Sequence, residues 1–172
     1  MYDVAFQFEI KDWAMDIDDE DYPFGKWKSV DFSLKSSYIN YTLTDDELFN
    51  TLEILHLKER LEELLAGEIK DDCKVSFAEP DFTFLLYPAR RLYSIPGKIG
   101  YRNGYMDRPL FMEMKVQFWC KEGGLGQNIF QMSFCEDEVR AFLTYLKFIT
   151  GEITEKDEQY IRFIRAGVLV PD

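Results

Sequence analysis

Residues 74–88, KVSFAEPDFTFLLYP, decide how the chain is read. Two aromatic and β-branched runs, Cys73–Phe77 and Phe82–Tyr87, flank Ala-Glu-Pro-Asp. Such residues fit a pleated surface, and Pro80 suits a turn, where its fixed φ helps and its missing N–H costs nothing. The stretch therefore predicts two short strands joined by a tight connection.

Upstream, Val30, Phe32 and Leu34 alternate with polar residues, and after Ser36-Ser37 the apolar set moves to Ile39, Tyr41 and Leu43. A shift of one residue turns a strand over, so a bulge or break is expected near Ser36. Thr44-Asp45-Asp46-Glu47 then reads as a helix start, with Thr44 as cap and Glu47 in the capping-box position. Leu48, Leu52 and Leu55 share one helical face, whereas Leu57, Leu61, Leu64 and Leu65 cluster on nearly the opposite one. The pattern predicts a short turn near Asp45–Leu52 and a separate main helix, about Leu57–Ala66, ended by Gly67. His56, the only histidine, lies at the phase change with no partner motif around it, which reads as a structural residue.

At the start, Tyr2, Val4, Phe6, Phe8 and Ile10 repeat with period two, the pattern of a half-buried strand rather than a signal peptide. In DWAMDIDDED, Asp16, Asp18 and Glu20 stand at positions 1, 3 and 5 of a would-be calcium loop. Asp21 occupies the glycine position and Trp27 that of the bidentate Glu, so no metal site is expected.

Downstream, residues 89–109 interleave Arg90, Arg91, Lys98, Arg102 and Arg108 with Tyr93, Tyr101 and Tyr105. Nucleic-acid contact uses such residues, but a loop held to an acidic body by its own charges explains them better. Leu110–Phe118 and Phe130–Phe134 restore period two around Glu122–Gly126, a hairpin whose glycines match no dinucleotide fingerprint. Glu136-Asp137-Glu138 opens a helix with Val139, Phe142, Leu143, Leu146 and Ile149 on one stripe. Thr154 with Asp157 suggests a third, short helix to about Arg165. Gly-Glu-Ile occurs at 67–69 and again at 151–153, which common cap chemistry accounts for without a repeat.

Together these elements predict one α+β domain over residues 1–172: a mostly antiparallel sheet of six or seven strands packed against two main helices plus a short C-terminal one. The sheet's second face is expected to be open, a place for a partner or for a second copy in a homodimer.

The composition is 47% hydrophobic, with fifteen Phe and ten Tyr, so the acidity belongs to a folded surface rather than a disordered chain. A formal net charge of −12 disfavours nucleic acid or an anionic membrane as partner and steers a basic protein inward. Cys73, Cys120 and Cys135 stand far apart without a CxxC pair, as in a reducing compartment, and no run approaches the ~18 apolar residues of a membrane helix. These features place the protein in the cytoplasm. No cofactor fingerprint, nucleophile elbow, phosphate loop or metal spacing occurs, so a non-enzymatic protein is expected; paired carboxylates remain the route by which an enzyme could be built.

SYINYTL (37–43), then ILHLKERLEELLAGE (54–68) and VSFAEPDFTF (75–84), resembles the WapI-type family of bacterial immunity proteins. The resemblance takes in a tryptophan-then-strand entry from Trp27 to Leu34, a Leu/Glu-rich helix, a Phe and Glu-Pro strand pair, a later apolar strand and a closing helix. It covers Trp27–Leu86 and, more loosely, Leu110–Ile149, and departs at 89–109 and after Ile149. It implies a cytoplasmic antitoxin that binds the C-terminal toxin domain of a polymorphic toxin, often a nuclease with a basic cleft. The exposed acids suited to such a partner are Asp16, Asp18, Asp19, Glu20 and Asp21, with Asp45, Asp46 and Glu47. The alternative is a self-associating structural protein without a toxin partner.

Overall fold

The computed structural model describes residues 5–11, 25–93, 105–119 and 125–168. The first strand, β1 (Ala5–Ile10), pairs antiparallel with β2 (Trp27–Lys35), and β2 with β3 (Asn40–Asn50). The Phe82 stretch forms the expected hairpin, β4 (Cys73–Ser76) with β5 (Phe82–Tyr87). A second hairpin, β8 (Phe111–Trp119) with β9 (Leu125–Cys135), adds to β5, giving the sheet order β4-β5-β8-β9. Between them β6 (Arg90–Tyr93) and β7 (Tyr105–Arg108) make a two-stranded stem. The described residues thus hold nine strands rather than six or seven, in three antiparallel sheets; the fold is α+β as expected.

The core follows directly from strand alternation. In β5 the residues Phe82, Phe84 and Leu86 are buried, and their neighbours in register on β8, Val116, Met114 and Met112, are buried with them. The three-stranded sheet lays Phe8, Phe32 and Phe49 against Phe82, with ring centroids 5.3–5.7 Å apart. Edge-on and tilted rings at that distance are a favourable aromatic arrangement. Helix α1 (Thr51–Ala66) adds Ile54, Leu57, Leu61 and Leu64, and α2 (Glu136–Ile149) adds Val139, Leu143 and Leu146, to one continuous cluster. Lys147 on α2 pairs with Glu62 on α1 at 2.6 Å, and Lys58 pairs with Glu152.

One part of the sequence reading is corrected. Asp45, Asp46 and Glu47 do not start a helix: β3 runs through them to Asn50, and α1 begins at Thr51 as one uninterrupted helix. The true cap is Asn50, whose Oδ1 accepts from Glu53 N at 2.9 Å while Glu53 Oε2 accepts from Asn50 N at 3.0 Å. Glu53 serves twice, since its other oxygen accepts from Ala78 N at 2.6 Å and ties the β4–β5 turn to the helix. The change of leucine phase has a different cause. The β2–β3 register shifts between Lys28 and Ser29 and between Val30 and Phe32, which leaves β3 with extra residues at Leu48 and within Thr44–Asp45. A bulge re-aims the strand, and adjacent Leu48 and Phe49 are both buried. Leu48 therefore belongs to a bulged strand, not to a helical face.

The expected break near Ser36 is a hairpin turn. Ser36 Oγ accepts from Tyr38 N and Ile39 N, both at 3.1 Å, and reverses the chain from β2 into β3. The third helix, α3 (Glu158–Arg165), starts one turn later than Thr154, with Asp157 at its cap position. Gly67 has φ +73° at the end of α1, with Gly67 N bonded to Leu64 O and Glu68 N to Glu63 O. Gly151 N to Phe148 O and Glu152 N to Lys147 O repeat that closure at the end of α2, so the Gly-Glu-Ile echo is helix termination.

Candidate binding surface

The exposed acids are the first group to place. Asp46 and Glu47 stand exposed on β3, in register with Val30 and Ser29, and no basic side chain among the described residues pairs with either. The backbone of Asp45 lies within the same bulged strand. The extra residues that shift the strand here are what put carboxylates in succession on its surface. Asp16, Asp18, Asp19, Glu20 and Asp21 lie outside the described residues, as do Asp12 and the rest of that acidic segment.

The Arg/Tyr segment turns its charges onto the body. Arg108 closes a two-pronged bond on Asp72, Nη1 to Oδ2 at 3.0 Å and Nη2 to Oδ1 at 2.5 Å, and also donates to Pro88 O at 3.0 Å. Arg90 donates to Lys70 O and to Asp71 Oδ1, each at 2.8 Å. The bond from Arg108, together with the positive charge of Arg108 and Arg90, holds the Asp72 carboxyl below its usual range, although partial burial opposes the shift. The Arg108 guanidinium also lies over the rings of Tyr87 and Phe111, 5.3 and 5.8 Å from their centroids. Those rings stack at 4.3 Å, and Tyr87 donates to Glu113 Oε2 at 2.8 Å. Burial first, then that bond and the negative charge of Glu113, keep the Tyr87 phenol protonated above its usual range. The stem is thus fixed to the body at its base. Lys98, Arg102 and Tyr101 lie outside the described residues.

The same economy of charge runs through the rest of the surface. Lys11 pairs with Asp31 at 2.7 Å, Arg140 with Glu136 at 2.5 Å, Arg60 with Glu63, and Arg162 approaches Asp137 at 3.6 Å. In this way several of the basic side chains among the described residues are matched to neighbouring acids, while Asp46 and Glu47 are not.

An aromatic cleft of about 500 Å³, not anticipated from the sequence, lies between β1, the end of β9, α2 and α3. Phe6, Phe8, Phe134, Phe142, Tyr145 and Tyr160 line it, with Glu9 and Glu138 at its polar positions. Its signal was present in α2: Phe142, Tyr145 and Phe148 form a second apolar row beside the core row Val139, Leu143 and Leu146. Tyr145 reaches across to accept from Ile10 N at 2.6 Å, and Phe148 stacks on Tyr160 with centroids 4.6 Å apart.

The second face of the four-stranded sheet is partly covered, with Arg108 lying over Tyr87 and Phe111. Thr83, Leu85 and Tyr87 on β5 and Phe111, Glu113 and Lys115 on β8 are half-buried there, and Ile129 on β9 is 57% exposed. His56 is exposed on α1. Among the described residues no three His, Cys, Asp or Glu side chains are grouped to hold a metal, and no helix is long and apolar enough to cross a membrane. These features define an acidic α+β protein. Comparison with protein-family models, curated proteins and solved structures finds no match for the chain.

Proposed function

We infer that this chain is a non-enzymatic acidic binding protein of the cytoplasm, an immunity protein of the WapI type that neutralises the C-terminal toxin domain of a polymorphic toxin by occupying it. The observation that carries this reading is the division of charge. Arg90 and Arg108, from the one basic stretch of the sequence, are engaged by Asp71 and Asp72, whereas Asp46 and Glu47 face solvent. A surface of that kind repels polyanions and steers a basic protein, such as a nuclease domain with a phosphate-binding cleft, toward its free carboxylates.

The test is co-expression with the toxin-like domain encoded beside the gene, scoring cell survival and co-purification at low and high salt. Rescue with a complex that weakens as salt rises supports the reading. The absence of both rescue and complex overturns it.

A second reading, self-association through the second face of the four-stranded sheet, is favoured by exposed Ile129 on that face. Sedimentation of the purified protein separates the two: a monomer excludes the second reading.

A further inference from the structure

The edge of β1 carries more than its side chains show. Lys11 N donates to Ser29 O at 2.8 Å, and the register pairs Glu9 with Asp31 and Gln7 with Ser33. Hydrogen-bonded and non-hydrogen-bonded pairs alternate along an antiparallel ladder. The odd residues of β1 therefore direct their main-chain groups at β2, and Phe6, Phe8 and Ile10 direct theirs away from it. Ile10 confirms the phase, because its N–H leaves the sheet for the Tyr145 hydroxyl. Among the described strands β1 has β2 as its one neighbour, so the N–H and C=O groups of Phe6 and Phe8 form an open edge beside the aromatic cleft.

We propose that this edge and cleft take up an extended segment of the basic partner as an added strand, one in which apolar residues alternate with lysine or arginine. An unpaired strand edge is a template for main-chain pairing, and alternate side chains of the incoming strand then face opposite ways. Those opposite Phe6 and Phe8 turn toward Phe134, Phe142 and Tyr145. Those opposite Gln7 and Glu9 turn to the polar face, where Glu9 has no basic partner among the described residues and Lys11 is already taken by Asp31. From Phe6 to Glu9, short of the Ile10 N–H that Tyr145 takes, the edge is roughly 13 Å long at ~3.3 Å per residue, room for a segment of about four residues. A small apolar molecule fits the aromatic floor equally well but leaves the edge amides without partners, so the peptide answers more of the observations.

The proposal rests on the reading of the protein as a binder of basic partners, and its test separates the two. The probes are labelled eight-residue peptides titrated by fluorescence anisotropy at low salt: alternating valine and lysine, the same peptide N-methylated on alternate amides, and alternating valine and glutamate. The valine–lysine peptide binds, N-methylation weakens it by about tenfold or more, and the glutamate version shows no saturable binding. On the protein side, Phe6→Pro removes an edge N–H that β2 does not use, and Phe6→Ala controls for the lost ring. Phe6→Pro binds the valine–lysine peptide about fivefold or more weaker than Phe6→Ala. Equal binding by the two variants, or by the parent and N-methylated peptides, overturns strand addition. If no lysine peptide binds while 1-anilinonaphthalene-8-sulfonate fills the cleft, the site is a small-molecule pocket and the proposal falls. In either case retention of the toxin-domain complex leaves the acidic-binder reading standing, and its loss removes both.

Discussion

Two pairs of neighbouring acids, Asp71–Asp72 and Asp46–Glu47, are alike in the sequence and opposite in the structure. Asp71 and Asp72 follow α1 and meet Arg90 and Arg108, which arrive from 19 and 36 residues away. Asp46 and Glu47 lie in a bulged strand with no cation in reach among the described residues. The difference teaches that the number of carboxylates is a property of the chain, whereas their availability is a property of the fold. Only the second pair can meet a partner without first giving up an internal ion pair.

The comparison is broken most severely by disturbing the corner where β3 enters α1. Thr51 N and Oγ1 both bond to Lys26 O, and Gly25 beside it has φ +73° and is buried. A Cβ on Gly25 would stand 2.5 Å from Thr51 Cβ, in a backbone region that L-residues seldom adopt. Gly25→Ala is expected to cost about 2–4 kcal/mol, read as a lowered denaturant midpoint with an unchanged slope. An unchanged midpoint would mean that the corner does not hold β3 in place.

Next in size is Arg108→Ala, which frees Asp72 and uncovers the Tyr87–Phe111 stack. The pair is partly exposed, so the expected loss is about 1–3 kcal/mol by thermal or denaturant unfolding. A loss within experimental error would mean that Asp72 is as free as Asp46, and the contrast between the two pairs would vanish.

These examples also mark what the sequence could reveal. The Phe82 hairpin, the β8–β9 hairpin and α2 were legible because period two, or one apolar stripe with acids at its start, dominates each segment. The start of α1 was not. Thr44-Asp45-Asp46-Glu47 satisfies the local rules for a helix cap, yet pairing with β2 overrides them, and Asn50 with Glu53 supplies the same chemistry six residues later. The Arg90 and Arg108 pairing was readable only as a preference, because sequence composition carries no information on which acids lie within reach. The cleft was hidden for a related reason: Phe6, Phe134, Phe142 and Tyr160 come from four elements and meet only in the fold.

A smaller effect sharpens the contrast through pH. The bond from Arg108 depresses the folded-state pKa of Asp72, so the stability it adds is present above the ordinary carboxylate value, about 4, and is lost as pH falls through the lower folded value. Wild type should therefore lose stability on acidification below about pH 4 more steeply than Asp72→Asn, which lacks that titration. Parallel curves for the two proteins would show that the ion pair is not linked to folding.

The smallest effect on stability is also the most discriminating for function. Asp46→Lys with Glu47→Lys changes two exposed side chains that no described cation holds, and the double variant should unfold within about 0.5 kcal/mol of wild type. Reversal of the same two charges should slow association with a basic toxin domain and weaken the complex most at low salt, where screening is least. The pairing of a near-zero stability change with a large, salt-dependent binding change is what free surface carboxylates require. A large stability loss would assign them to the fold, like Asp71 and Asp72. A binding change that persists undiminished at high salt would point instead to shape or apolar contact, and would shift attention from β3 to the cleft beside β1.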